Sequence, residues 1–184
     1  MTDKSMIRTY SGIFFSPLSP SPEDIVPGDI AHALSLMCRA NGHFRSFYSV
    51  GQHCLSCEAE AAAAGLPEKT RLACLLHDAS EAYISDITRP VKLGLPEYRT
   101  IEKRLQDAIY RRFGIDPEDE SVMREVSRID DAMLYHEFLA LAGHPLFDKS
   151  PEIITKPFYD FVPFEETEKQ YMKVFNRLFM EETT

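Results

Sequence analysis

The sequence predicts an all-α domain, on three observations. Apolar residues recur at three- and four-residue spacings along most of the chain, as on the buried stripe of a helix. Glycine and proline stand between these runs, at Gly65, Pro67, Pro96, Gly114, Pro145 and Pro151, rather than inside them. No strand–helix–strand rhythm, internal repeat or low-complexity segment breaks the pattern.

Residues 1–28 read as an arm in which Pro17, Pro20, Pro22 and Pro27 prevent any long helix. Ile7, Thr9 and Tyr10, then Ile13, Phe14 and Phe15, flank Ser11-Gly12 as a short hairpin, and these aromatics imply that the arm packs on the domain. The domain itself is expected over 29–184. Asp29 is placed to cap a first helix through Cys38 or Arg39, with Ile30, Leu34 and Met37 as its stripe and Asn41-Gly42 as its stop. Ser49 caps the next helix, from about Val50 to Ala64. Pro67 opens a third, which is expected to run through Leu72, Leu75 and Leu76, across His77-Asp78, to about Ile84. Residues 85–92 read as a loop holding at most a turn of helix. Helices follow from Pro96 to Phe113, from about Glu118 to Leu141, and from Phe164 to Met180. The total is six helices, or seven with the turn in the loop.

A chain of 184 residues is long enough for one substantial core, and 44% hydrophobic with 27% charged residues is ordinary for a globular protein. A net charge of -9 argues against a non-specific nucleic-acid coat, which needs a basic face. It does not exclude a small anionic ligand, because a bound cation reverses the local field. With no apolar run long enough for a membrane span and no signal-peptide core, a cytoplasmic protein without membrane contact is expected. Cys38, Cys54, Cys57 and Cys74 fall in helical patterns. Cys54-x-x-Cys57 has no second pair at zinc-finger spacing, so buried, reduced thiols are the expectation.

The chemistry concentrates in Leu75-Leu76-His77-Asp78-Ala79-Ser80-Glu81. Adjacent side chains on a helix diverge by about 100°, yet one long and one short group can still meet beside it. Glu81, four residues after His77 and three after Asp78, returns to the same face. Three ionisable groups after an apolar turn are costly to bury without a cation. Imidazole and carboxylate together suit a divalent metal with positions left for water and substrate.

With Tyr48-Ser49-Val50-Gly51-Gln52-His53 upstream and Val126-Ser127-Arg128-Ile129-Asp130 downstream, the order His, His-Asp, Asp resembles the HD-domain metal-dependent phosphohydrolases. Within them the chain is most similar to small bacterial and phage members related to 5'-deoxynucleotidases, over residues 29–142. The resemblance implies an HD-domain helical bundle and one divalent metal (Mn, Co, Mg, Zn or Fe) on His53, His77, Asp78 and Asp130, with Asp131 competing for the last position. It implies that Glu81 orients or deprotonates the attacking water, and that Asp86 lines the same pocket. Arg39 stands where those nucleotidases carry a phosphate-binding arginine, and Lys92 matches a basic position beyond Asp86. The tryptophan that follows that arginine in the nucleotidases is Ala40 here, which leaves deoxyribose preference open. Arg45 and His43, close to His53 in sequence, are further anion-binding candidates, whereas His136 and His144 have no partner pattern.

The expected reaction is hydrolysis of a nucleoside 5'-monophosphate by metal-activated water, since neither a Gly-rich phosphate loop nor a Cys-x5-Arg loop is present. The alternatives are a deoxynucleoside triphosphate triphosphohydrolase and a non-catalytic nucleotide sensor. The partner implied is a nucleotide, and a homodimer is what the resemblance implies for assembly.

Overall fold

The computed structural model describes residues 5–181. It is an all-α bundle with a short N-terminal hairpin: β1 (Ile7–Arg8), β2 (Phe14–Phe15), α1 (Pro27–Leu36), α2 (Val50–Ala63), α3 (Glu68–Leu76), α4 (Glu81–Ile84), α5 (Arg89–Leu93), α6 (Pro96–Arg112), α7 (Glu120–Glu137) and α8 (Phe164–Glu181). The hairpin pairs Ile7 with Phe15 and Arg8 with Phe14, and turns through Gly12 at φ 89°. Phe15 is fully buried and stacks on Tyr83 of α4, which attaches the arm to the domain.

Asp29 does not cap α1, contrary to what the spacing predicts. It lies within the first turn, and its carboxylate accepts hydrogen bonds from the Ser11 backbone N–H (2.7 Å) and hydroxyl (2.8 Å), so it ties down the arm instead. The helix also ends at Leu36 rather than near Arg39. Met37 and Cys38 turn extended, and Arg39 opens a short 3₁₀ turn, because the backbone here bridges to the segment leading into α2: Val50 N–H donates to Met37 O (3.0 Å) and Arg39 N–H to Tyr48 O (2.8 Å). Cys38 is therefore exposed, unlike Cys54, Cys57 and Cys74, which are buried free thiols as expected.

Ser49 caps α2 as predicted, in a reciprocal box with Gln52. A Cβ at Gly51 would lie 3.1 Å from Thr167 and 3.2 Å from Ser35, so the missing side chain lets α1, α2 and α8 close together two residues before His53. Beneath lies the core of Leu72, Leu75, Leu105, Ile109, Ile129 and Leu178, all fully buried, on which each amphipathic helix lays its apolar stripe. Residues 144–163 carry no regular helix and are pinned by buried Glu60 of α2. Its carboxylate accepts from the Ile154 N–H (2.8 Å), the Thr155 N–H (2.9 Å) and the Thr155 hydroxyl (2.7 Å). Among the described residues no helix is long and apolar enough to cross a membrane.

The largest departure is in the third predicted helix, which breaks. α3 stops at Leu76, and residues 77–80 wind as a tighter turn with Ala79 N–H bonded to Leu76 O (2.9 Å) and Glu81 N–H to Asp78 O (3.0 Å). Gln106 of α6 spans the break: its amide donates to Leu76 O (2.7 Å) and accepts from Ser80 N–H (3.0 Å). The backbone groups released by the break are thus satisfied by one side chain.

Candidate metal centre

His53 lies on the fourth residue of α2, His77 and Asp78 in the turn after α3, and Asp130 in the middle of α7. Although adjacent, His77 and Asp78 both reach the same point, the long imidazole making up the angle between them. His53 Nε2 lies 3.0 Å from His77 Nε2, 3.2 Å from Asp130 Oδ1 and 3.7 Å from Asp78 Oδ2. His77 Nε2 lies 3.3 Å from Asp78 Oδ2 and 3.7 Å from Asp130 Oδ1. Donors held about 2.0–2.2 Å from one ion in tetrahedral or octahedral geometry are roughly 2.9–3.5 Å apart. The four side chains come within a few tenths of an ångström of those separations.

The tautomers agree with the spacing. His53 Nδ1 is 2.6 Å from Glu137 Oε1, and His77 Nδ1 is 2.7 Å from the Cys74 carbonyl oxygen. Both acceptors require N–H at Nδ1, so each neutral imidazole presents its Nε2 lone pair to the cluster. Burial and Arg39 pull the His53 imidazole down, but Cys57, Glu137 and Asp130 outweigh them and hold it well above its ordinary value. For His77, burial is likewise outweighed, chiefly by Asp78, and the imidazole is held well above its ordinary value. Burial pushes both carboxyls up, but the imidazoles pull Asp130 well below the ordinary range, and His77, Arg39 and His53 lower Asp78. The negative field that holds protons on both imidazoles is one that a divalent cation satisfies by displacing them from the two Nε2 atoms. The donor set fits one.

Asp131 is not part of this arrangement; it is half exposed and pairs with Arg89 at 3.2 Å. Arg39 is 9% exposed, with its Nε donating to Glu137 Oε2 (2.9 Å) and its terminal nitrogens 3.3 Å from Asp78 and 3.6 Å from Asp130. It therefore touches the cluster directly. Glu81 is buried beside Lys92, whose ammonium lies 3.2 Å from Oε1 and 2.6 Å from Glu102. The other Glu81 oxygen, Oε2, is buried without a hydrogen-bond partner among the described residues, a costly state for a group with no ligand. Burial, then Asp78 and Asp86, raise the Glu81 carboxyl well above its ordinary value. Asp86 is raised as well, mainly by burial.

A cavity of about 620 Å³ begins at the cluster and is lined by Arg39, Glu81, Asp86 and Lys92, with an apolar wall that includes Leu134, Phe138 and Phe147. His43 and Arg45 do not line it. Both are exposed; the backbone N–H of Arg45 bonds Leu141 O at 3.1 Å, and its guanidinium lies against Gly143. Nor does His136, which lies 2.9 Å from the Pro151 carbonyl oxygen.

Sequence reasoning did not single out Glu137. It is fully buried and holds His53 with one oxygen and Arg39 with the other. Its signal was present: Glu137 follows Asp130 by seven residues, two turns of one helix and so one face. Two cysteines also approach. His53, Cys57 and His77 offer donor atoms within 4.8 Å of one another, as do Cys54, His77 and Asp78. Cys57 Sγ is 3.6 Å from Nε2 and 3.9 Å from Nδ1 of His53. Near-equal distances to both nitrogens place the sulfur against the ring rather than along the Nε2 lone pair, so Cys57 packs the histidine.

The chain is similar to the uncharacterized protein YfdR of Escherichia coli, 39% identical over 113 residues that make up 61% of each chain. It is also similar to the uncharacterized protein RCAP_rcc00048 of Rhodobacter capsulatus, 41% identical over 113 residues, 59% of this chain and 58% of that one. The chain thus spans about three-fifths of the length of the curated relatives it matches. No family model matches it. What the fold and the cluster establish together is an all-α domain with buried histidine, cysteine and aspartate groups able to coordinate a divalent metal.

Proposed function

We propose that this protein is an HD-domain metal-dependent phosphohydrolase acting on nucleoside 5'-monophosphates. The observation that carries the reading is the convergence of His53, His77, Asp78 and Asp130 from three separate segments to separations of 3.0–3.7 Å. These four residues would hold the ion. When bound, it supplies Lewis acidity, drawing charge from a phosphoryl oxygen and making water acidic enough to attack near neutral pH.

The remaining work falls to the chain's own groups. Glu81 keeps one buried oxygen unpaired, and that oxygen is the acceptor for a proton of the attacking water. Arg39 is fixed by Glu137, so its guanidinium meets a phosphate already oriented. Lys92 lines the 620 Å³ cavity as a second cation, and the cavity's apolar wall suits a nucleobase.

The test is phosphate release from nucleoside mono- and triphosphates with added Mn, Co, Mg or Zn, with products separated by chromatography. Nucleoside plus inorganic phosphate from a monophosphate supports the proposal. Release of intact tripolyphosphate from a triphosphate, with monophosphates untouched, replaces it with triphosphohydrolysis. Tight nucleotide binding without turnover makes the chain a sensor.

A further inference from the structure

A second cavity, about 1070 Å³, opens on the other side of the cluster, between α6 and α7. Asp78, Asp130 and Lys92 line both cavities, so the four-residue centre sits in the wall between them. Their linings differ in kind. The smaller cavity has the apolar wall described above, whereas the larger is bordered along α6 by Arg99, Lys103, Arg104 and Arg111. With Lys92 this makes five of the chain's 20 Lys and Arg residues, in a protein of net charge -9.

Local acids do not cancel them all. Lys92 is held by Glu81 and Glu102, Lys103 by Asp107 at 2.7 Å, and Arg111 reaches Glu118 only at 4.0 Å. Arg99 and Arg104 have no acidic partner within that range among the described residues. The two acids deeper in the groove, Asp78 and Asp130, belong to the cluster and are engaged by His53, His77 and Arg39. Five residues apart, Arg99 and Arg104 are offset by about 7.5 Å along the axis of α6 and about 140° around it, and both still line the groove, so their long side chains reach it from different directions.

The geometry points to the α6–α7 groove as a second anion site, one that takes a polyphosphate chain leading away from the metal cluster on the side opposite the nucleoside cavity. This deepens the phosphohydrolase reading and rests on it for the role of the cluster, but the groove's own chemistry is independent. Guanidinium groups pair with phosphate oxygens two at a time, so Arg99 and Arg104 provide both charge and direction. Two sources share the chemistry: free inorganic polyphosphate, and the phosphate chain of a nucleoside polyphosphate.

Titration calorimetry with tripolyphosphate tests this. The wild-type protein is compared with Arg99→Glu/Arg104→Glu, and with Lys149→Glu/Lys173→Glu as a charge-matched control whose exposed residues line neither cavity. Reversing two contacting charges is expected to weaken binding at least about tenfold, against less than about twofold for the control. Circular dichroism of the surface variants confirms their folding, and Arg99→Gln/Arg104→Gln is expected to fall between. Failure of the wild type to bind, or equal weakening in the control, overturns the proposal. Repeating the titration with a nucleoside triphosphate separates the sources. Binding about tenfold tighter than tripolyphosphate identifies one ligand spanning both cavities, and equal binding identifies the free chain. Monophosphate hydrolysis without tripolyphosphate binding removes the groove and leaves the reaction. Binding through Arg99 and Arg104 without hydrolysis of any nucleotide removes the reaction and leaves the groove.

Discussion

Replacing Glu137 with glutamine alters one atom and one charge at the base of the cluster. The native carboxylate is fully buried and accepts two charge-assisted hydrogen bonds, from His53 Nδ1 at 2.6 Å and from Arg39 Nε at 2.9 Å. An amide keeps one acceptor and converts the other oxygen to a donor, so one bond becomes N–H facing N–H. Removing one partner of a buried ion pair costs about 3–5 kcal/mol. The lower end applies, near 3 kcal/mol, because one bond survives and Arg39 retains Asp78 and Asp130. Metal affinity falls separately, by about 10–100-fold, since His53 loses the group that sets its tautomer and ring orientation. Urea unfolding gives the first quantity and competition with a chromophoric chelator gives the second. A stability change below about 0.5 kcal/mol, with metal affinity within about twofold of wild type, would refute the supporting role assigned to Glu137.

Asp130→Ala is expected to strip most of the bound metal by elemental analysis, while Asp131→Ala retains it; the reverse pattern moves the site to Asp131. Glu81→Ala should keep the fold and the metal but lose about 10²–10⁴ of phosphate release, and an active variant would discard its role as base. For Glu60, burial pushes the carboxyl up, but the Thr155 hydroxyl and the amides of Ile154 and Thr155 outweigh it, leaving the group below its ordinary value of 4.5. A depressed folded-state pKa stabilises above the unfolded value and is lost as pH falls through the folded one. Glu60→Gln should therefore cost about 1.5–3 kcal/mol at pH 7, with the gap to wild type narrowing below about pH 4; a gap of constant size from pH 7 to 3 contradicts this.

Local signals in the sequence translated well into structure where one rule governed the backbone. Ser49 marked a helix start, and Ser11-Gly12 between apolar runs marked the hairpin. The failures share a cause: a distant partner took over backbone groups that local pattern assigned to a helix. Met37 and Arg39 pair with the segment before α2, and Gln106, some thirty residues away, stabilises the break after Leu76. Of the four clustered residues, helical spacing alone joined only His77 and Asp78; His53 and Asp130 were reached through the resemblance to the HD-domain phosphohydrolases, because they lie on other helices that the fold brings together. His43 and Arg45 were offered for nearness in sequence alone, and the chain carries their side chains away from both cavities. Glu137 was hidden by treating Asp130 as the end of a motif rather than as one position on a helical face.

His77 and Asp78 converge although residues 77–80 wind with i→i−3 bonds, a geometry in which neighbouring side chains diverge by about 120°. The long imidazole makes up the angle: its Nε2 lies 3.3 Å from Asp78 Oδ2, and the Cys74 carbonyl oxygen keeps the ring turned inward. The same turn delivers Glu81 to the start of α4, buried next to two other carboxylates. Three carboxylates at such close quarters repel one another, and Lys92 offsets this by bonding Glu81 on one side and Glu102 on the other. Lys92 comes from α5, the short helix that packs against α6, so the cation that makes Glu81 tolerable also forms part of the wall between the two cavities. Two of the clustered side chains, a buried carboxylate and its cation thus meet at one turn of backbone, and Gln106 of α6 bonds both ends of that turn, at Leu76 O and Ser80 N–H.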